Sequence, residues 1–173
     1  QRTYGMPIVF DEAPRMLATV VPCRAVVAAR LNSPQHEMAL LRGLRILRMA
    51  GELVDEPDVI AATATAVGLD ADRLATWMAD PATETALRED MDLARRPSPA
   101  ALVMDHKLAT ASDGRRRYTA PSLELTAPDG RRIDIAGFNP TIAYEHAIAN
   151  LAPELPRRDS PVSVEAVLAW AGE

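Results

Sequence analysis

The chain carries one cysteine, Cys23, and three histidines, His36, His106 and His146. Cysteine acts as nucleophile or redox centre through its thiolate, and a helix N-terminus or an adjacent cation lowers the thiol pKa. Cys23 lies in Val20-Val21-Pro22-Cys23-Arg24-Ala25, at the start of an expected helix and beside Arg24, so both aids are present. The neighbouring valines and alanines favour a plainer role as a small buried hydrophobe. No second cysteine and no histidine pattern accompanies it. The histidines are far apart. His36-Glu37-Met38-Ala39-Leu40 opens like a zinc-protease helix but lacks a second histidine four residues after the first, so no metal is expected. Asp55, Asp70 and Asp80 stand at helix starts, where capping accounts for them without catalysis. Neither a glycine-rich phosphate loop nor a Gly-x-Ser-x-Gly elbow occurs, and no cofactor is expected.

Two further features have chemical potential. Arg42, Arg45 and Arg48 recur every third residue, and Arg115, Arg116 and Arg117 are consecutive. Such runs commonly form a solvated face; the alternative is a grip on an anionic ligand. Ala120-Pro121 directly precedes a strand pattern. In the cis form this proline would mark a tight turn and leave the preceding backbone amide and carbonyl open to an extended ligand added as a strand. In the trans form it is an ordinary first residue of a strand. The local pattern leaves both readings open.

The elements that position these residues divide the chain. At 173 residues with 48% hydrophobic content it can bury one sizeable core, or a small domain with a large insertion. A net charge of -5 argues against nucleic acid as a partner, including a helix-turn-helix hidden in residues 56 to 96. No apolar run approaches a membrane span, and no basic-then-apolar signal opens the chain. A single cysteine excludes an internal disulfide and fits a reducing, cytoplasmic compartment. Residues 1–18 read as a loop leading into the fold. Residues 19–96 read as short helices. The first runs from about Pro22 to Leu31. Ser33-Pro34 caps the next, whose stripe is Leu40, Leu41, Leu44 and Leu47. Gly51 breaks that pattern. Asp55-Glu56-Pro57 opens a helix ending at Gly68; Asp70 opens another through Trp77; Asp80-Pro81 opens a third with Leu87, Met91 and Ala94 on one face. After Pro97-Ser98-Pro99 the character changes. Ser112-Asp113-Gly114 leads a turn with the three arginines. A strand hairpin over 122–136 turns at Pro128-Asp129-Gly130, with Leu123 and Leu125 alternating with Ser122, Glu124 and Thr126, and Ile133 and Ile135 with Arg132 and Asp134. Asn139-Pro140 caps a helix over 140–151, and Ser163 caps a last one over 164–171.

The run Tyr118-Thr119-Ala120-Pro121-Ser122-Leu123-Glu124-Leu125, the hairpin, Gly137-Phe138-Asn139-Pro140 and Tyr144-Glu145-His146-Ala147-Ile148-Ala149-Asn150-Leu151-Ala152-Pro153, placed after a helical region, resembles the DsbA family. It is most similar to the bacterial, cytoplasmic-type DsbA-like proteins described as dithiol–disulfide isomerases. The resemblance covers about residues 19 to 171. It implies a helix-rich α/β, thioredoxin-like fold in which 19–96 form an all-helical insertion and 97–173 the C-terminal half. It implies that Pro121 is the cis proline facing a redox cysteine and that Ala120 gives backbone contacts to a bound peptide or thiol. The family's first strand, cysteine motif and following helix have no counterpart here, and Cys23 falls in the insertion. The expectation is that the N-terminal βα portion is missing from this chain, which begins at Gln1 rather than Met, and that the chain alone is inactive.

The leading reading is therefore a thiol–disulfide oxidoreductase acting on a protein or small-molecule thiol or disulfide. A glutathione-dependent isomerase or transferase, with Arg42, Arg45 or Arg115 to Arg117 holding carboxylates, is the first alternative. A non-catalytic peptide- or protein-binding module is the second. A homodimer is compatible with each.

Overall fold

A computed structural model describes residues 8–9, 15–156 and 163–165. The chain forms two compact units, Gln1–Leu93 and Ala94–Glu173. The first is helical: α1 (Val20–Asn32), α2 (Glu37–Met49), α3 (Pro57–Ala66), α4 (Ala71–Met78) and α5 (Pro81–Ala94). The second holds the short α6 (Pro99–Val103), two hairpins and α7 (Thr141–Leu151). Among the described residues no helix is long and apolar enough to cross a membrane.

Small residues organise the first unit. Ala25, Ala28 and Ala29 of α1 are fully buried, so neighbouring helices approach its backbone closely and seat Leu40, Leu44, Ile60, Ala64 and Leu74 against it. Alanine also favours the helix it stands in. Asp70 caps α4 by accepting the Arg73 N–H at 2.9 Å, and Asp80 accepts the Ala82 N–H at 2.8 Å, as expected of both. Gly68 ends α3 at φ +82°, a left-handed position that suits glycine.

Four local expectations are corrected. Ser33 caps no backbone amide: its hydroxyl bonds His36 Nδ1 at 2.8 Å and accepts from Gln35 Nε2, while Pro34 opens a 3-10 turn and α2 begins only at Glu37. Asp55 does not cap α3. Its carboxylate takes the Arg15 guanidinium at 2.6 Å and the Ala18 N–H at 2.8 Å, which holds it down at a pKa of about 2. On α5, Met91 and Ala94 are exposed, and the helix is seated by Leu87 and by Thr83, whose hydroxyl donates to the Trp77 carbonyl. Asn139 does not cap α7; its amide donates back to the carbonyls of Ala136 and Gly137.

In the second unit β1 (Ala109–Thr110) pairs with β2 (Arg116–Arg117), and β3 (Leu123–Thr126) with β4 (Arg132–Ile135), both antiparallel and each a sheet of two strands. The sequence signals the first hairpin only as an arginine-bearing turn. The two turns are chemical copies, Ala111-Ser-Asp-Gly-Arg115 and Ala127-Pro-Asp-Gly-Arg131. In each, the aspartate accepts the arginine N–H at 3.0 Å and pairs with its guanidinium, while the glycine takes a positive φ. Arg131 then reaches α7, donating to the carbonyls of Asn150 and Leu151 and so closing the helix C-terminus. Along this hairpin Leu123 is exposed and Leu125 half-buried, whereas Ile135 on β4 is buried. The loop expected over 1–18 and the helix expected over 164–171 lie largely outside the described residues.

In the first unit α2 and α3 approach closely at Gly43. A Cβ on Gly43 would lie 2.8 Å from the Thr63 Cγ2, and Thr63 is buried with its hydroxyl bonded to the Val59 carbonyl at 2.6 Å. Gly43→Ala is expected to destabilise the protein by about 1 kcal/mol in urea unfolding. In a Thr63→Ser background, with the obstructing methyl gone, the same change becomes neutral or stabilising, because alanine is the better helix former by up to about 1 kcal/mol.

Candidate functional site

Ala120 and Pro121 form an exposed loop between the two hairpins. Their peptide bond is cis. The residues on either side are fixed from beneath. The Thr119 hydroxyl donates to the Lys107 carbonyl at 2.7 Å, and the Ser122 hydroxyl donates to the Thr119 carbonyl while accepting the Gly137 N–H at 2.9 Å. Gly137 occupies the gap between these groups at φ +65°, and a Cβ there would meet the Lys107 carbonyl oxygen at 2.9 Å and the Thr119 Oγ1 at 3.2 Å. Upstream, the Tyr118 N–H bonds the Ala94 carbonyl and its hydroxyl accepts the Ser98 N–H. Ser98 also donates to Asp134 and caps α6 through the Ala101 N–H.

The loop itself is left open. No described residue pairs with the Ala120 N–H or carbonyl. Beyond it, only one edge of β3 is paired, with β4, among the described strands. An extended segment therefore meets an unpaired amide and carbonyl followed by an open strand edge, the arrangement that strand addition uses. Leu123 at the start of β3 and Phe138, which follows Gly137, have 44% and 75% of their surfaces exposed.

The other residues singled out from sequence are not gathered here. Cys23 belongs to the first unit, and it is exposed rather than the buried hydrophobe expected. Nor is its thiol activated. Partial desolvation along α1 and the negative Asp90 push its pKa up, and Arg45 opposes them only in part. Arg42, Arg45 and Arg48 are all exposed along α2. The three consecutive arginines diverge: Arg115 pairs with Asp113, Arg116 donates to the carbonyls of Asp105 and Leu108, and Arg117 donates only to the Tyr118 carbonyl. Among the described residues no cluster of histidine, cysteine and carboxylate could hold a metal. Sequence reasoning missed Lys107, Thr119, Ser122 and Gly137 as the floor of the loop. The one signal was Gly137, a glycine placed where a strand stops and a side chain would collide.

With a helical unit of short, closely connected helices and a second unit of hairpins and helices, the protein is of the helix-rich α/β class. The model of the DSBA-like thioredoxin domain matches residues 1–98, more than half of the chain, and the chain belongs to that family. No curated protein matches it. The matched span ends before Ala120-Pro121, so the family assignment and the loop geometry are separate observations.

Two measurements probe the site. Gly137→Ala cannot be accommodated by a side-chain shift, since the obstruction is a backbone carbonyl. It is expected to cost about 2 kcal/mol or more in chemical unfolding and to displace the amide resonances of Thr119 to Leu123. For Cys23, iodoacetamide is expected to react more slowly than with free cysteine at neutral pH. The rate should rise with a midpoint above that of free cysteine. Asp90→Asn removes a negative charge and moves the midpoint down; Arg45→Gln moves it up. An unshifted midpoint in both variants would contradict the electrostatic account.

Proposed function

We propose that this chain is part of a DsbA-like thiol–disulfide oxidoreductase, and that Ala120-Pro121 with the open edge of β3 receives the substrate segment bearing the reacting sulfur. The observation that carries this reading is the family match over residues 1–98; the open Ala120 backbone supports the placement of the substrate. In the reaction a thiolate attacks one sulfur of the substrate disulfide, a mixed disulfide forms, and the other substrate sulfur leaves as thiolate. A second thiol then attacks the mixed disulfide, releasing the reduced substrate and leaving the enzyme pair oxidised. Cys23 is not proposed as that thiolate, since partial desolvation and Asp90 push its thiol pKa up rather than down. A bacterial cytoplasm, where thiols are kept reduced, is the setting proposed for it.

The test has a negative and a positive arm. The 173-residue chain is expected not to accelerate dithiothreitol-driven insulin reduction, and Cys23→Ser is expected to change nothing. In a nuclear magnetic resonance titration, an extended peptide carrying a serine in place of the reacting cysteine should shift the amides of Thr119 to Leu125. Turnover that disappears in Cys23→Ser would place the chemistry in the helical unit and overturn the reading. Peptide shifts confined to other residues would overturn the substrate placement.

A further inference from the structure

The charges around the loop are unevenly paired. Between residues 95 and 137 the sequence has five acidic side chains, Asp105, Asp113, Glu124, Asp129 and Asp134. Every one is paired with an arginine: Asp105 with Arg116, Asp113 with Arg115, Asp129 with Arg131, and both Glu124 and Asp134 with Arg132. Among the described residues Lys107 and Arg117 have no acidic partner. Each donates to a carbonyl, Lys107 Nζ to Phe138 at 2.6 Å and Arg117 Nη1 to Tyr118 at 3.2 Å. A neutral carbonyl leaves their full charge uncompensated and most of their donors unused.

These two cations adjoin the loop. Ala109 pairs with Arg117 in the β1–β2 ladder, and two residues further along the ribbon Thr119 bonds the Lys107 carbonyl. Lys107 thus lies across from the residue that precedes Ala120, and Arg117 stands three residues before it. Gly137, wedged between Lys107 and Thr119, leads directly into the exposed Phe138. The Ala120-Pro121 loop is therefore approached by two cations and, through the Lys107 bond to the Phe138 carbonyl, by an exposed apolar residue.

From this charge complementarity we infer that the segment received at Ala120-Pro121 is an extended acidic peptide, with a carboxylate taken by Lys107 and Arg117 and an apolar neighbour resting on Phe138. Arginine offers the carboxylate a fork of parallel donors, and lysine a mobile point charge that can keep its carbonyl bond while adding another. Carboxylates flanking the seated residue are recognised by charge, and the backbone of β3 supplies the rest of the binding. The inference rests on the substrate placement proposed above and adds the class of substrate.

Fluorescence anisotropy with short labelled peptides, identical except for a Glu, Gln or Lys beside the seated serine, tests it on the 173-residue chain. The Glu peptide is expected to bind roughly fivefold tighter than the Gln peptide, the effect of about one to two solvated ion pairs. That preference should vanish in about 0.5 M salt, where charges at this range are screened. Arg117→Ala combined with Lys107→Gln should abolish the preference, with the Glu and Gln peptides then binding equally. Arg117→Glu, which keeps the Lys107 bond to Phe138 and so guards against a folding defect, should reverse the preference towards the Lys peptide. Equal binding of all three peptides, with amide shifts still at Thr119 to Leu125, would overturn the charge assignment and leave the substrate placement standing. Binding without shifts there would overturn the placement itself. Reduced glutathione binding in an Arg117- and Lys107-dependent way, with no preference among the peptides, would overturn the peptide in favour of a small carboxylate.

Discussion

The contact on which the second unit depends is the close approach of Gly137 to the Lys107 carbonyl and the Thr119 hydroxyl. Thr119 and Ser122 bracket Ala120-Pro121, and both spend their hydroxyls on backbone groups rather than on solvent. Ser122 also accepts the Gly137 N–H, so the end of β4, the start of β3 and the turn before β1 are tied through one small space. Only a residue without a Cβ leaves that space open. A loop fixed on both flanks can leave its central amide and carbonyl unpaired without becoming mobile, which is what a binding site made of backbone requires. The openness of Ala120 is thus a product of order around it.

The same economy governs the charged side chains. Arginine performs three distinct tasks within a few residues. Arg115 and Arg131 complete the two Asp-Gly-Arg turns; Arg116 satisfies carbonyls of the segment leading into β1; Arg132 spans the acids of β3 and β4. The planar guanidinium, with five donors in fixed directions, suits bridging several acceptors at once. Once these are engaged, the run Arg115-Arg116-Arg117 ceases to be a uniform cationic patch. A period-2 ladder sends Arg116 and Arg117 to opposite faces, and of the three arginines only Arg117 lacks an acidic partner among the described residues.

How far this was legible in the sequence follows from the range of the interactions concerned. Helix starts and stops depend on neighbours within one turn, so Asp70, Asp80, Pro57 and Gly68 announced their roles directly. Ser33, Asp55 and Asn139 carried the same signature and did otherwise. A distant or competing partner claimed each of them: His36 and Gln35, Arg15 and Ala18, and the carbonyls of Ala136 and Gly137. A side-chain oxygen can serve one set of donors, and tertiary geometry decides which. The β1–β2 hairpin was missed because two-residue strands leave no alternation to read, although its Asp-Gly turn duplicates the one that was recognised. The placement of Ala120-Pro121 came from local pattern and resemblance; its floor, built by residues up to thirty positions apart in sequence, had no local signal beyond a single glycine.

Cys23 completes the separation of binding from chemistry. A thiol suited to disulfide exchange needs a stabilised thiolate, and position alone would have offered it, near the start of α1 with Arg24 alongside. Yet Arg24 is committed to Glu84, and Asp90 is among the charges acting on the sulfur. An arginine whose charge is already neutralised by a carboxylate does little for a neighbouring thiolate. Partial desolvation and Asp90 together outweigh Arg45, and the thiol pKa is pushed up. The residue with the right element type and the right flank is thus electrostatically unsuited to the reaction, whereas the loop with no reactive side chain has the open backbone and neighbouring charge that recognition demands. In this chain the open Ala120 backbone and the single thiol are encoded in different units.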